Sequence, residues 1–193
     1  MNHTANAPHP NDALTNVPRI ALVGPMGIGK TTAVRTLCGD DMASSDVRNL
    51  DQQAHTKEFT TVGAEFGDIY LEDGERVQLC GCPGQERFDF VRQWVLSVSM
   101  GVFIMVDIND PDALAQALQL LGEVAAAPNA PIAILLSARP AAPAQIEAFA
   151  AALFNAGHGV LPLLEIDVRQ RADMLGALGV LVSMLSLQNE VAA

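Results

Sequence analysis

Short apolar runs alternate with amphipathic stretches along most of the chain. Arg19-Ile20-Ala21-Leu22-Val23 has the length and continuity of a buried strand, and Lys30 to Cys38 sets Val34, Leu37 and Cys38 at helical spacing. Gly39 to Lys57 is polar throughout and reads as a long loop, a feature that in a compact domain points to function. Thr61 to Leu71 and Arg76 to Leu79 are β-prone runs joined by Glu72-Asp73-Gly74-Glu75, and an Asp-Gly pair between two such runs predicts a hairpin. A helix is expected around Phe88, Phe90 and Trp94. Val102 to Val106 is a wholly apolar strand ending at Asp107. Asp110 then resembles an N-cap with Pro111 at the first helical position, and Leu114, Leu118 and Leu121 continue the stripe. Ile132 to Leu136 is another buried strand. Pro143 to Phe154 carries Ile146, Phe149 and Leu153 on one helical face. Leu161 to Ile166 is a sixth strand, and Gln170 to Leu187 aligns Leu175, Leu178, Leu181 and Leu185 as a last helix.

The predicted order is β-α-β-β-α-β-α-β-α-β-α. Apolar strands alternating with helices require a sheet covered on both faces, so the fold class is α/β, with six mainly parallel strands and one antiparallel edge strand from the hairpin. Met1 to Pro18, rich in Asn, Pro, Ala and His, is expected as a disordered arm, residues 19–188 as a single domain, and residues 189–193 as a short tail.

Composition narrows the partners. The chain of 193 residues is 50% apolar, enough for a sizeable core, and its 11 basic against 22 acidic residues give a net charge of −11. Such a chain gains no counterion-release energy on a phosphate backbone, so direct nucleic-acid binding is disfavoured. An anionic membrane surface is an equally poor match. Cys38, Cys80 and Cys82 are too few and too irregular for a disulfide framework, which suits a reducing cytoplasm. Cys80-Gly81-Cys82 lacks the spacing of a zinc knuckle. No secretory signal, myristoylation site or prenylation box is expected, so no direct membrane anchor.

One segment carries strong chemistry. Gly24-Pro25-Met26-Gly27-Ile28-Gly29-Lys30-Thr31 is a GxxxxGK[ST] phosphate loop, and it follows a strand and opens a helix as the motif requires. Backbone N–H groups from Gly24, Gly27, Ile28 and Gly29 through Thr32 would face the phosphates of a nucleoside triphosphate. Lys30 would reach the β- and γ-phosphates, and the Thr31 hydroxyl would ligate Mg²⁺. Two later segments stand where a nucleotide sensor needs them. Thr60-Thr61-Val62-Gly63 ends the polar loop, with Thr61 able to close over the γ-phosphate and Mg²⁺. In Cys82-Pro83-Gly84-Gln85-Glu86-Arg87-Phe88, Gly84 offers its N–H to the γ-phosphate and Gln85 can orient an attacking water.

In this order and spacing, the three segments resemble the phosphate loop, switch I and switch II of Ras-like small GTPases. The Pro-Gly-Gln-Glu-Arg-Phe form and the later Glu165-Ile166-Asp167-Val168-Arg169-Gln170-Arg171 look most like the bacterial branch of the MglA type. The resemblance covers about Arg19 to Leu187. It implies a six-stranded P-loop NTPase sheet with five helices, GTP and GDP as ligands, Mg²⁺ as cofactor, slow hydrolysis and a switch cycle. A roadblock/LC7-type protein is implied as regulator or effector.

Three positions depart from that pattern. The Asp expected three residues before Gly84 is Gly81, leaving Thr31 and Thr61 as the implied metal ligands. The guanine-reading Asn/Thr-Lys-x-Asp after Ile132–Leu136 is absent, and Ser137-Ala138-Arg139-Pro140 stand there. The small residue that touches the base corresponds to Val168, whose neighbour Asp167 could supply the missing carboxylate. Arg48 and Lys57 are candidates for a positive charge at the transition state. Phe88, Phe90 and Trp94 are either core or a partner patch. His55 and His158 receive no role. Three functions remain open: a GTPase switch, a degenerate nucleotide-holding module, and a P-loop ATPase in which Asp107 ends a Walker B strand.

Overall fold

The computed structural model describes residues 17–39, 43–48, 59–71 and 74–192. Seven strands form one sheet: β1 (Arg19–Val23), β2 (Ala43–Arg48), β3 (Phe59–Tyr70), β4 (Arg76–Gly81), β5 (Gly101–Val106), β6 (Ile132–Ser137) and β7 (Leu163–Glu165). Their spatial order is β2-β3-β4-β1-β5-β6-β7. The β4, β1, β5, β6 and β7 strands run parallel, and β3 runs antiparallel to both its neighbours. Around the sheet lie α1 (Lys30–Cys38), α2 (Asp89–Val98), α3 (Ala113–Ala126), α4 (Pro143–Leu153) and α5 (Arg171–Ala192).

Alternation along the strands divides the core in two. Ile20, Leu22, Phe103, Met105, Ile134 and Leu136 point to the face covered by α1 and α5, where they meet Val34, Leu37, Met174, Ala177, Leu178 and Leu181. Ala21, Val23, Val102, Ile104, Val106 and Leu135 point to the other face, against Val95 and Leu96 of α2, Ala117, Leu121 and Val124 of α3, and Phe149 and Leu153 of α4. Each central strand is buried on both sides, which is why these strands read as continuous apolar runs.

The expected α/β class and the antiparallel hairpin are present. All six expected strands form, and a seventh, β2, arises within the stretch read as a loop. Its origin lies in β3. The β3 strand is 12 residues long, whereas β4 pairs only with its C-terminal half, Glu65 to Tyr70. The N-terminal half needs another partner for its backbone groups, and β2 supplies it through pairs such as Asp46 with Thr61 and Arg48 with Phe59. β2 thereby takes the edge position expected for the hairpin strand.

Smaller differences have local causes. The α3 helix starts at Ala113, not at Pro111, because the Asp110 Oδ1 accepts the Asp112 N–H and closes a turn first. Along α5, Leu178 and Leu181 are buried and Leu185 packs against the core as expected, but Leu175 is 43% exposed and Met174 takes its place. α5 runs on to Ala192 through most of the expected tail. Arg171, in the first turn of α5, donates to the carbonyls of Thr36 and Leu37 and ties α5 to the C-terminal end of α1. Among the described residues, no helix is long and apolar enough to cross a membrane.

Gly101 opens β5 directly beneath α5. A Cβ there would meet Leu181 Cδ2 at 2.7 Å and Cδ1 at 3.0 Å. Gly101→Ala is therefore expected to cost about 1–3 kcal/mol by overpacking. In a Leu181→Ala background the same change should cost almost nothing, because the clashing atoms are gone. Urea melts of the four proteins of this cycle measure the coupling, and simple additivity would contradict the packing described.

Candidate functional site

The β1 strand ends at Val23, and the chain must turn sharply before α1 begins at Lys30. Gly24 takes φ 149°, and a Cβ there would lie 2.5 Å from the Met105 carbonyl oxygen, so only glycine fits beside β5. Gly29, at φ 116°, is the left-handed N-cap of α1, and no side chain caps the helix. The first N–H groups of α1 therefore remain available to an anion, with the helix dipole behind them.

Lys30 is the buried cation of the site. Its Nζ donates to the carbonyls of Gly24 and Pro25, each at 2.8 Å. Burial lowers its pKa from 10.5 to about 8, partly offset by the negative charge of Glu65 and reinforced by Arg92. Thr31 Oγ1 donates to Glu65 Oε1 at 2.7 Å. Its single proton is thus committed to the carboxylate, which leaves the hydroxyl lone pairs free to ligate a cation.

Glu65 is the residue that sequence reasoning missed. It sits on β3 directly opposite Gly81 on β4. A Cβ at Gly81 would lie 3.4 Å from Glu65 Oε2. A carboxylate thus lies directly across the strand pair from position 81, where the sequence itself has none. Glu65 stands four residues beyond Thr61, but its match to Gly81 depends on the strand register, which a single sequence does not reveal.

Gly84 lies against the phosphate loop. A Cβ there would meet the Met26 nitrogen at 2.6 Å and Lys30 Nζ at 2.9 Å. Gln85 Nε2 approaches Met26 Sδ at 3.6 Å, so its side chain also reaches the loop. Lys30, Thr31, Glu65, Cys82 and Gly84 line a cavity of about 330 Å³. A second cavity of about 690 Å³ shares Gly27, Gly29 and Thr32 with it and extends to Arg139, Asp167, Val168 and Asp173.

In that second cavity, Arg139 takes up a role the missing base motif concealed. Its guanidinium donates to the carbonyls of Gly27 at 3.1 Å, Ile28 at 3.0 Å and Ala138 at 2.7 Å, fastening β6 to the phosphate loop. Val168 is buried, and its Cγ2 would stand 3.2 Å from a Cβ at Gly29. The segment after β7 is therefore docked on the loop. Asp167 there is held by Arg169, whose Nε and Nη2 donate at 2.8 and 2.7 Å. These bonds, the Arg169 backbone N–H and the charge of Arg139 lower the Asp167 carboxyl to about 2.

Other expected residues stand elsewhere. Thr61 lies inside β3, paired with Asp46, and not at the mouth of a loop. It stands four steps along the strand from Glu65, roughly 13 Å at the usual rise, so the fold does not bring it to Thr31. The length of β3 is the cause. Arg48, opposite Phe59, is farther still, and Lys57 and His55 lie outside the described residues. Asp107 accepts from the Asn109 side chain and backbone and lines neither cavity, which removes the support for a Walker B strand at β5. Phe90 and Trp94 are 64% and 56% exposed, so they form a surface patch, not core. The α2 helix beneath them is pinned by Arg92, which is buried and bonds Glu123 through Nε at 2.6 Å and Asp89 through Nη2 at 2.8 Å.

A family model described as "50S ribosome-binding GTPase" matches residues 19–137, from the start of β1 to the end of β6. No curated protein matches the chain at a significant level.

The buried Lys30 ammonium has a measurable consequence. Its folded pKa is about 8, against 10.5 ordinarily, so the unfolded chain binds more protons between those values and stability from this group rises with pH across that window. Below pH 8 the penalty is complete, on the order of 3 kcal/mol. Burial pushes the thiols the other way, Cys38 to about 11 and Cys80 and Cys82 to about 12, so their contribution falls as pH rises above 9. A difference measurement separates the two effects. Lys30→Met should melt higher than the wild type at pH 7, with the gap closing as pH rises from about 8 toward 10.5. A gap independent of pH would contradict the buried-cation description.

Proposed function

Because this chain belongs to the 50S ribosome-binding GTPase family, we propose that it works as a GTP-hydrolysing molecular switch whose metal-supporting carboxylate is Glu65. The observation that carries this reading is the convergence of Lys30, Thr31, Glu65 and Gly84 on one cavity beside the N-terminus of α1. In it, a cation, a helix dipole and free N–H groups suit a triphosphate. A hydroxyl and a carboxylate hydrogen-bonded to each other at 2.7 Å suit a small hard cation.

Thr31 and Glu65 are the residues that would hold Mg²⁺. When bound, the ion would neutralise charge on the phosphate oxygens. The chain's own groups do the rest. Lys30 exchanges its two carbonyl partners for phosphate oxygens. Gly84, already against the loop, offers its N–H to the terminal phosphate. Gln85, beside Met26, orients the attacking water. Hydrolysis by these groups alone is slow, on the order of 10⁻³ s⁻¹ or less, since among the described residues Lys30 is the one basic side chain lining the phosphate cavity.

The switch reading also requires an output surface. Phe90 and Trp94 are exposed on α2, just beyond Gly84 and Gln85, which lie against the phosphate loop. A change in the terminal phosphate acts on that segment, while the Arg92–Glu123 ion pair keeps the body of α2 in place. We assign this patch to a protein partner, of which a roadblock/LC7-type protein is the proposed example. With a net charge of −11, a phosphate backbone remains a poor partner, so the ribosome of the family's description is not proposed for this chain.

Lys30→Ala should abolish nucleotide binding in a fluorescent-nucleotide titration. Gln85→Ala should keep binding within a few-fold and lower single-turnover hydrolysis by about tenfold or more. Glu65→Gln should raise the Mg²⁺ concentration that half-maximally slows nucleotide dissociation by about tenfold. A Glu65→Gln protein with unchanged Mg²⁺ dependence would remove Glu65 from the metal site.

A further inference from the structure

The larger cavity beside the phosphate loop lacks a carboxylate from the β6 side, where Ala138, Arg139 and Pro140 line it. We propose that Asp167, on the opposite wall, reads the purine by exchanging Arg169 for the N1–H and N2–H donors of guanine. This inference rests on the GTP-binding reading above and deepens it.

Three carboxylates line the cavity: Glu165, Asp167 and Asp173. Asp173 is committed to the loop itself, its Oδ2 accepting the Asp167 N–H at 2.9 Å. Glu165 is exposed at the end of the edge strand β7. Asp167 is the best placed. Its neighbours Ile166 and Val168 are 8% and 5% exposed, so the backbone that carries it is fixed. Val168 lies against Gly29, so that backbone is fixed relative to the phosphate loop. A base would therefore meet Asp167 in a set position once its phosphates are seated.

The chemistry discriminates. A carboxylate only accepts hydrogen bonds, and the N1–H and N2–H₂ edge of guanine only donates. At the same edge adenine presents N1 as an acceptor, which a carboxylate repels. Arg139 commits three of its five N–H donors, including both on Nη1, to backbone carbonyls of the loop and of Ala138. Arg169 fills three acceptor positions on Asp167, through its N–H, Nε and Nη2. A carboxylate offers about four in all, so the base can bind only if Arg169 releases some of them. That release is easy: the Arg169 side chain is 76% exposed, and exposed ion pairs are held weakly. The exchange leaves the charge of Asp167 compensated by a nearby, displaced Arg169.

The test is competition binding with the full chain, using GTP, ITP, XTP and ATP against a fluorescent guanine nucleotide. Wild type should prefer GTP over ATP and over ITP, which lacks the N2 amine, by about tenfold to a hundredfold each. Asp167→Asn presents a donor beside an acceptor. It should lose GTP affinity by about tenfold or more and bind XTP, whose C2 oxygen accepts, better than GTP. Asp167→Ala should lose the guanine preference without gaining XTP. A GTP-to-XTP ratio in Asp167→Asn equal to that of wild type overturns the inference and leaves the GTPase reading standing. ITP bound by wild type as tightly as GTP overturns it without any variant. A wild-type protein that binds no nucleotide overturns both.

Discussion

The Lys30 ammonium is held inside the protein, and much of the surrounding structure answers to it. A buried cation needs partners, and the backbone carbonyls of Gly24 and Pro25 supply two at 2.8 Å. They can do so only because glycine at positions 24 and 29 lets the chain fold back over the start of α1. Glu65, from β3, adds a negative charge nearby and binds Thr31. The charge still costs stability, as its lowered pKa records. Such strain at a single residue is expected where a phosphate is to be the final partner.

Local patterns revealed most of the frame. The runs at Ile20–Val23 and Val102–Val106 are buried on both faces, as is Ile134–Leu136 within the third run, and they could not be mistaken for amphipathic elements. The phosphate loop was readable because each of its parts is a local requirement: a strand before, glycines in the turn, Lys30 and Thr31 at the helix start. Residues whose role depends on pairing between distant strands were not readable. Nothing near Glu65 in sequence says that it faces Gly81; that follows from the β3–β4 register. The misplacement of Thr61 has the same origin, since the polar stretch before it gave no sign that β3 begins at Phe59 and recruits β2. Arg139 stood in plain view among the residues that break the base motif, yet its bonds reach back 111 and 112 positions to the phosphate loop.

Two departures from the family pattern thus have the same physical form. At the phosphate side, a carboxylate absent from β4 is matched by one on the neighbouring strand. At the base side, no carboxylate stands after β6, while Asp167 follows the neighbouring β7. In both places the carboxylate proposed as a substitute stands on, or directly after, the strand adjacent to the one that lacks it. Charge complementarity constrains the volume that a ligand occupies, not the strand from which the charge arrives.

The most direct test of this account is to move the proposed metal-supporting carboxylate back across the strand pair. Dissociation of a fluorescent guanine nucleotide would be followed against Mg²⁺ in wild type, Glu65→Ala, and the double variant Glu65→Ala with Gly81→Asp. The Glu65 truncation clears Oε2, which a Cβ at position 81 would otherwise meet at 3.4 Å, and leaves Val34 Cγ2 in ordinary contact at the same distance. The account predicts that Glu65→Ala loses Mg²⁺-dependent retention and that Asp introduced at position 81 restores most of it. Retention undiminished in Glu65→Ala would contradict the central claim that Glu65 is the carboxylate on which the metal site is built.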